Sequence, residues 1–228
     1  MYLGKIRTAF AVVGLATAAV FGVQSASAAT FNFVSMADNN SDPNYIGSTE
    51  LNWGDTAFAA GLTIDGITLV ASGSNANNTF ADAFFDSGNA GLGVCSTVGP
   101  ATGGSGCATG VGSNTGDDNV SAAQGGETLT LDFGQGVSIT DIFFRNAGHG
   151  ALTGSLNLNG GVLGITGGVV TSGFALLTGQ SVYSFEFSGN EFYISTATVA
   201  AVPLPAAGLL LLTAFGGLSA MRRRKQKT

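Results

Sequence analysis

Between residues 29 and 201, apolar and polar side chains alternate in short runs separated by turn residues. No stretch there keeps the three-to-four spacing of a helix face. The clearest run is Leu62-Thr63-Ile64-Asp65-Gly66-Ile67-Thr68-Leu69-Val70, two alternating segments around Asp-Gly. That dipeptide predicts a two-residue hairpin, because a type I′ turn needs positive φ at both central residues. A second pair, Thr128 to Phe133 and Val137 to Phe144, is joined by Gly134-Gln135-Gly136. Further strands are predicted at Phe31 to Ser35, Thr79 to Phe85, Ser155 to Leu158, Val162 to Ile165, Ser181 to Phe187 and Glu191 to Val199. In Val182 to Phe187 the residues Tyr183, Phe185 and Phe187 share one face, which is the expected core face.

About ten short strands with turn residues between them predict an all-β fold, an antiparallel, jelly-roll-like β-sandwich in a single domain. The 30 glycines among residues 29–201 also argue against long helices. One segment breaks the pattern. From Gly88 to Gly126 the chain is mostly Gly, Ser, Thr, Asn and Ala, and it reads as a long irregular loop holding both cysteines. Cys95 and Cys107 are expected to form a disulfide closing about 13 residues, worth about 3 kcal/mol of unfolded-state entropy. Neither C-x-x-C spacing nor a nearby His favours a redox or metal pair.

Charge sharpens the picture. The 228-residue chain has a formal charge of −6, but all 14 acidic residues lie between 29 and 201, where Arg145 is the single Arg or Lys. A body with a formal charge of −13 excludes phosphate-backbone recognition, and no nucleic-acid partner is expected. The bases lie at the two ends. Lys5 and Arg7 precede an apolar run from Ala9 to Val23 and the small-x-small sequence Ala26-Ser27-Ala28. Residues 1–28 therefore read as a signal peptide cut after Ala28, which implies export through the Sec translocon into an oxidising compartment.

At the other end, Val202-Pro203-Leu204-Pro205-Ala206 is followed by an apolar run from Ala207 to Met221 and by Arg222-Arg223-Arg224-Lys225. The prolines stop regular structure, the apolar run suits a single transmembrane helix, and the basic cluster holds the tail on the cytoplasmic face. This order of motif, span and basic stop resembles the VPLPA variant of the PEP-CTERM sorting signal of Gram-negative bacteria. The resemblance covers residues 202–228. It implies that an exosortase recognises the motif, and that the protein passes transiently through the inner membrane to the cell surface or the matrix outside. The stretches Glu127 to Phe133 and Ile142 to Gly150 also resemble a segment common in surface proteins of this class.

Candidate chemistry is sparse. Asp38, Asn40 and Asp42 repeat every second residue, as oxygen ligands of calcium do, but Pro43 and Thr49 stand where an EF-hand needs Gly and Glu. Asp117 and Asp118 with Glu127 form a second acidic group. Structural Ca²⁺ at these residues is the one cofactor considered; the competing reading is solvated turn residues. Arg145 and His149, the body's only Arg and only His, form either a small polar site at a strand end or a simple turn. No nucleophile elbow, P-loop, metal-protease helix or dinucleotide-binding glycine pattern accompanies them, and no enzyme is expected. The leading functional class is a structural surface or matrix protein associated with exopolysaccharide or biofilm. The alternatives are a carbohydrate-binding module stacking sugars on Trp53 or Tyr45, and a secreted hydrolase depending on His149.

Overall fold

Asp65 and Gly66 take φ of 48° and 80°, turning the chain between strands β3 (Leu62–Ile64) and β4 (Ile67–Asn75) as the Asp-Gly pair predicts. The computed structural model describes residues 27–47, 51–77, 81–96 and 118–202. Before this hairpin come β1 (Ala28–Asn32), a six-residue helix α1 (Phe33–Asp38) and β2 (Leu51–Asn52). After it come β5 (Ala81–Asp86), β6 (Gly91–Ser96), β7 (Glu127–Asn146), β8 (Gly154–Leu158), β9 (Gly161–Thr166), β10 (Val169–Ser172), β11 (Gln180–Glu186) and β12 (Phe192–Ala201). The result is a β-rich single domain in which every strand pairing is antiparallel.

Strand β7 organises it. Its first half, Glu127 to Asp132, lies between β4 and β11; its second half, Val137 to Asn146, pairs with β12. Gly134, at φ 62°, falls where the pairing changes hands. The predicted turn at 134–136 is thus a bend within one 20-residue strand. Beyond β11 the order runs β8, β9, β10, and Val169 of β10 returns to pair Phe143 of β7, which closes a ring of strands. On the other side β12 pairs β6, β6 pairs β5, and β5 pairs β2, while β1 lies along β12. The aromatic face read from the sequence is inward: Tyr183 and Phe185 are buried and Phe187 packs against the same core as Phe144, Phe192 and Leu158.

Besides the turn at 134–136, the structure departs from the expected strands in three places. The strand expected to run on to Ser35 ends at Asn32, whose side-chain oxygen accepts from the Ser35 N–H at 2.9 Å and caps α1. The segment from Gly88, expected to be irregular, opens with β6, all six residues of which are buried. Its glycines are the reason. A Cβ on Gly93 would run into the backbone of Asp118 and Asn119, and one on Gly91, at φ 119°, into that of Ile194. The residues that look like loop composition are the ones that let other backbone approach this strand. Finally β10 carries no turn-flanked alternation and was absent from the expected strands.

Cys95, in β6, is fully buried and disulfide-bonded; Cys107, the chain's other cysteine, lies outside the described residues. So do Ala26, Asp117, Pro203 to Ala206 and Arg222 to Lys225. Among the described residues no helix is long and apolar enough to cross a membrane.

Candidate functional site

Of the polar residues singled out in the sequence, Asp38, Arg145 and His149 meet around the β5–β6 and β7–β8 turns, with Asp118 joined to them through Tyr193. Asn146 starts the β7–β8 turn. Its Oδ1 accepts from the Gly148 and Gly150 N–H groups at 2.9 and 3.1 Å, and this places His149 at φ 61°, a left-handed conformation that costs a non-glycine residue about 1 kcal/mol. From there the imidazole reaches across to the β5–β6 turn. Nε2 lies 3.1 Å from Asp86 Oδ2, and Nδ1 lies 3.0 Å from the Gly88 carbonyl oxygen. Both of these oxygens are hydrogen-bond acceptors.

Around this pair the contacts continue. Arg145 Nη1 donates to the His149 carbonyl at 2.7 Å, and its guanidinium sits 5.7 Å from the centre of the Phe143 ring. Arg145 therefore braces the turn through the backbone. Tyr193, opposite Arg145 in the β7–β12 register, packs its ring edge-on to His149 at 5.6 Å and donates its hydroxyl to Asp118 Oδ1 at 2.6 Å. Burial pushes the Tyr193 phenol far above its ordinary range, and the hydrogen bond and charge of Asp118, with Asp86 behind it, push it further. Both imidazole nitrogens are thus engaged by oxygens of β5 and the β5–β6 turn.

The calcium candidates have structural duties. Both Asp38 oxygens accept backbone N–H groups of the β5–β6 turn, from Gly88 at 3.0 Å and Asn89 at 2.8 Å. Asp42 accepts from the Asn44 N–H at 2.8 Å, a local turn contact, and Asn40 from the Ser41 hydroxyl. Glu127 is buried, and its Oε2 accepts from both the N–H and the hydroxyl of Ser121 at 2.9 Å. Among the described residues no three His, Cys, Asp or Glu side chains are grouped to hold a metal ion.

The aromatic candidates are placed differently from the expectation. Trp53 is buried, 2% exposed, and stacked on Phe85 at 5.7 Å with Phe58 edge-on at 5.2 Å. Tyr45 is half-buried. Trp53 therefore offers no open face for a sugar ring. A concave surface lies elsewhere, a wide groove of about 510 Å³ between the 146–153 and 187–191 turns, with exposed Glu191 at its rim and Phe187 in its wall. Sequence reasoning missed it because it is built from Asn146, Thr153 and Asn190, side chains that read as ordinary turn residues. Each is fixed by a backbone contact: Thr153 Oγ1 accepts from the Gly167 N–H at 3.0 Å, and Asn190 Nδ2 donates to the Ser155 carbonyl at 2.9 Å.

No family model, curated protein or solved structure matches the chain.

Proposed function

We propose that this chain is an exported structural protein of the cell surface or extracellular matrix, delivered by Sec and trimmed at both ends. The observation that carries the reading is the ordered C-terminal series of Val202 to Ala206, apolar Ala207 to Met221 and basic Arg222 to Lys225. That series resembles an exosortase sorting signal, so an exosortase is the expected processing partner and the inner membrane a transient station. Exported delivery also accounts for an oxidised Cys95, whose expected partner is Cys107. The body is read as a jelly-roll-like sandwich. Support comes from β7, whose two halves serve different strand sets, and from Gly73 of β4, where a Cβ would lie 2.6 Å from the backbone of Asp82 in β5. The acidic surface suits a soluble filler that meets anionic polysaccharide through divalent ions in the medium.

The deciding measurement is the intact mass and cell fraction of the mature protein in its native host, followed with an antibody to the body. A product beginning at Ala29, ending near Pro205 and lying outside the inner membrane supports the proposal. A membrane-bound product retaining Arg222 to Lys227 overturns the sorting step.

The groove favours a second reading, saccharide binding. Its wall presents fixed amide and hydroxyl groups beside an apolar ring, the mixture that sugar sites use. A glycan array separates the two: a matrix filler shows no saccharide preference, whereas a binding module shows one that Glu191→Ala and Asn190→Ala weaken.

A further inference from the structure

The expected leader junction is part of the sheet. Strand β1 starts at Ala28, and its register against β12 pairs Ala28 with Ala200, Ala29 with Val199 and Thr30 with Thr198. The Thr30 and Thr198 hydroxyls meet at 3.0 Å, as side chains do across a non-hydrogen-bonded pair, while the Ala201 N–H donates to the Ser27 carbonyl at 3.3 Å. Alternation then makes Ala29 and Val199 a pair that exchanges both backbone hydrogen bonds. From its side chain, Ser27 donates to the Asp65 carbonyl at 2.8 Å. Ala29 and Phe31 are fully buried. The Ala28–Ala29 amide is thus embedded in a strand held by β12 on one edge and tied to the β3–β4 turn just ahead of it.

A peptidase that cuts such a junction needs the same residues as a free extended strand, because it recognises backbone by pairing with it. We propose that leader removal and closure of β1 onto β12 compete for this one segment, so that cleavage comes first and a precursor that closes first is locked against it. The proposal rests on the assignment of Ala26-Ser27-Ala28 as a leader junction. Hydrolysis consumes one water, leaves a carboxylate on Ala28 and gives Ala29 an ammonium group. That ammonium donates to the Val199 carbonyl in place of the amide N–H, so the cut chain closes without losing a donor. What it gives up is Ser27, and with it the acceptor for Ala201, immediately before the sorting motif. The order matters because β12 is the last strand among the described residues: its final residues are held by Ser27 and, through the Val202 N–H, by the Gly136 carbonyl at 3.0 Å. A precursor that closes uncut therefore has both processing junctions rooted in the same sheet end.

The test is an order-of-addition experiment on the full precursor. Unfolded in urea with its disulfide intact, it is diluted into detergent micelles with a purified bacterial signal peptidase, present from the moment of dilution or added after refolding is complete. Intact mass reads the cut, and a peptide of residues 20–34 added to both reactions reports that the enzyme is active. The expected result is cleavage after Ala28 in the first order and a rate at least about tenfold lower in the second, since cutting the closed form requires local opening. Phe31→Ala, which removes the buried anchor of β1 but keeps the junction, is expected to restore cutting after refolding. Equal rates in the two orders overturn the proposal and leave the leader assignment standing. Cutting of the peptide alone, with the precursor spared in both orders, overturns the ordering, because cleavage then never precedes closure. Failure to cut either the precursor or the peptide, by an enzyme that cuts an unrelated preprotein in the same micelles, overturns the leader assignment as well.

Discussion

His149 Nε2 lies 3.1 Å from the Asp86 carboxylate while its Nδ1 lies 3.0 Å from the Gly88 carbonyl oxygen, so one imidazole fastens the β7–β8 turn to the β5–β6 turn. The same β5–β6 turn is held from its other side by Asp38, which accepts from Gly88 and Asn89. Two residues of separate sequence regions thus clamp one short turn. This end of the sheet is ordered by polar contacts to backbone as much as by apolar packing.

Removing the imidazole should cost stability in two separable parts. His149→Ala loses both ring contacts and keeps a Cβ at φ 61°, and should destabilise the domain by about 2–3 kcal/mol. His149→Gly loses the same contacts but accepts the left-handed backbone, and should be milder by about 1 kcal/mol. Urea denaturation at pH 6 measures both; equal losses in the two variants would show that the turn carries no backbone cost.

Alkaline pH should weaken the fold above about pH 10. Burial raises the Tyr193 phenol far above its ordinary value, with the Asp118 hydrogen bond adding to it, and burial raises Tyr183 as well. Above the unfolded value of about 10 the unfolded chain loses these protons while the native one keeps them. The native state then binds more protons, and stability falls as pH rises toward the folded-state values. Tyr193→Phe should make this decline shallower by about one proton while lowering stability at pH 7 through loss of the bond to Asp118. Thermal melts from pH 8 to 11.5 supply the slopes.

Asp38 offers a direct contest between turn-holding and calcium. With both oxygens on backbone amides, Asp38→Ala should cost about 0.5–1.5 kcal/mol, since the exposed Gly88 and Asn89 N–H groups pass to water. The loss should be the same in millimolar calcium and in EDTA, and the wild-type Tm should not move between them. A calcium-dependent Tm that disappears in Asp38→Ala would restore the ligand reading.

Much of the fold was legible because alternation survives wherever a strand has one wet face. The Asp65-Gly66 hairpin and the aromatic face of β11 are read directly from such runs. Strand β6 was not legible, since Gly91-Leu92-Gly93-Val94-Cys95-Ser96 is buried on both faces and so does not alternate. The helix after Asn32 is a capping event in a sequence of strand-like residues, Phe33 and Val34, and tertiary packing of Phe33, Met36 and Ala37 decides it. At the candidate site, Arg145 and His149 were visible as the body's only Arg and only His. The contacts of His149 with Asp86 and Tyr193, and of Tyr193 with Asp118, were not identifiable, because pairing across 44 to 75 residues leaves no local spacing.

Trp53 separates two placements of a saccharide site, the groove and the aromatic cluster. A lone Trp in an acidic β-rich domain suggests a sugar platform, but this one is enclosed by Phe85 and Phe58. Its indole is shielded from water, so the native protein should emit at short wavelength and shift to the red only on unfolding. Adding saccharides should leave that emission unchanged even if the groove binds them, because the groove is lined by residues 146–153 and 187–191 and not by Trp53. A saccharide-dependent shift or quench of the native emission would mean that the aromatic cluster opens toward the ligand, and would move the binding site from the groove to the Trp53 face.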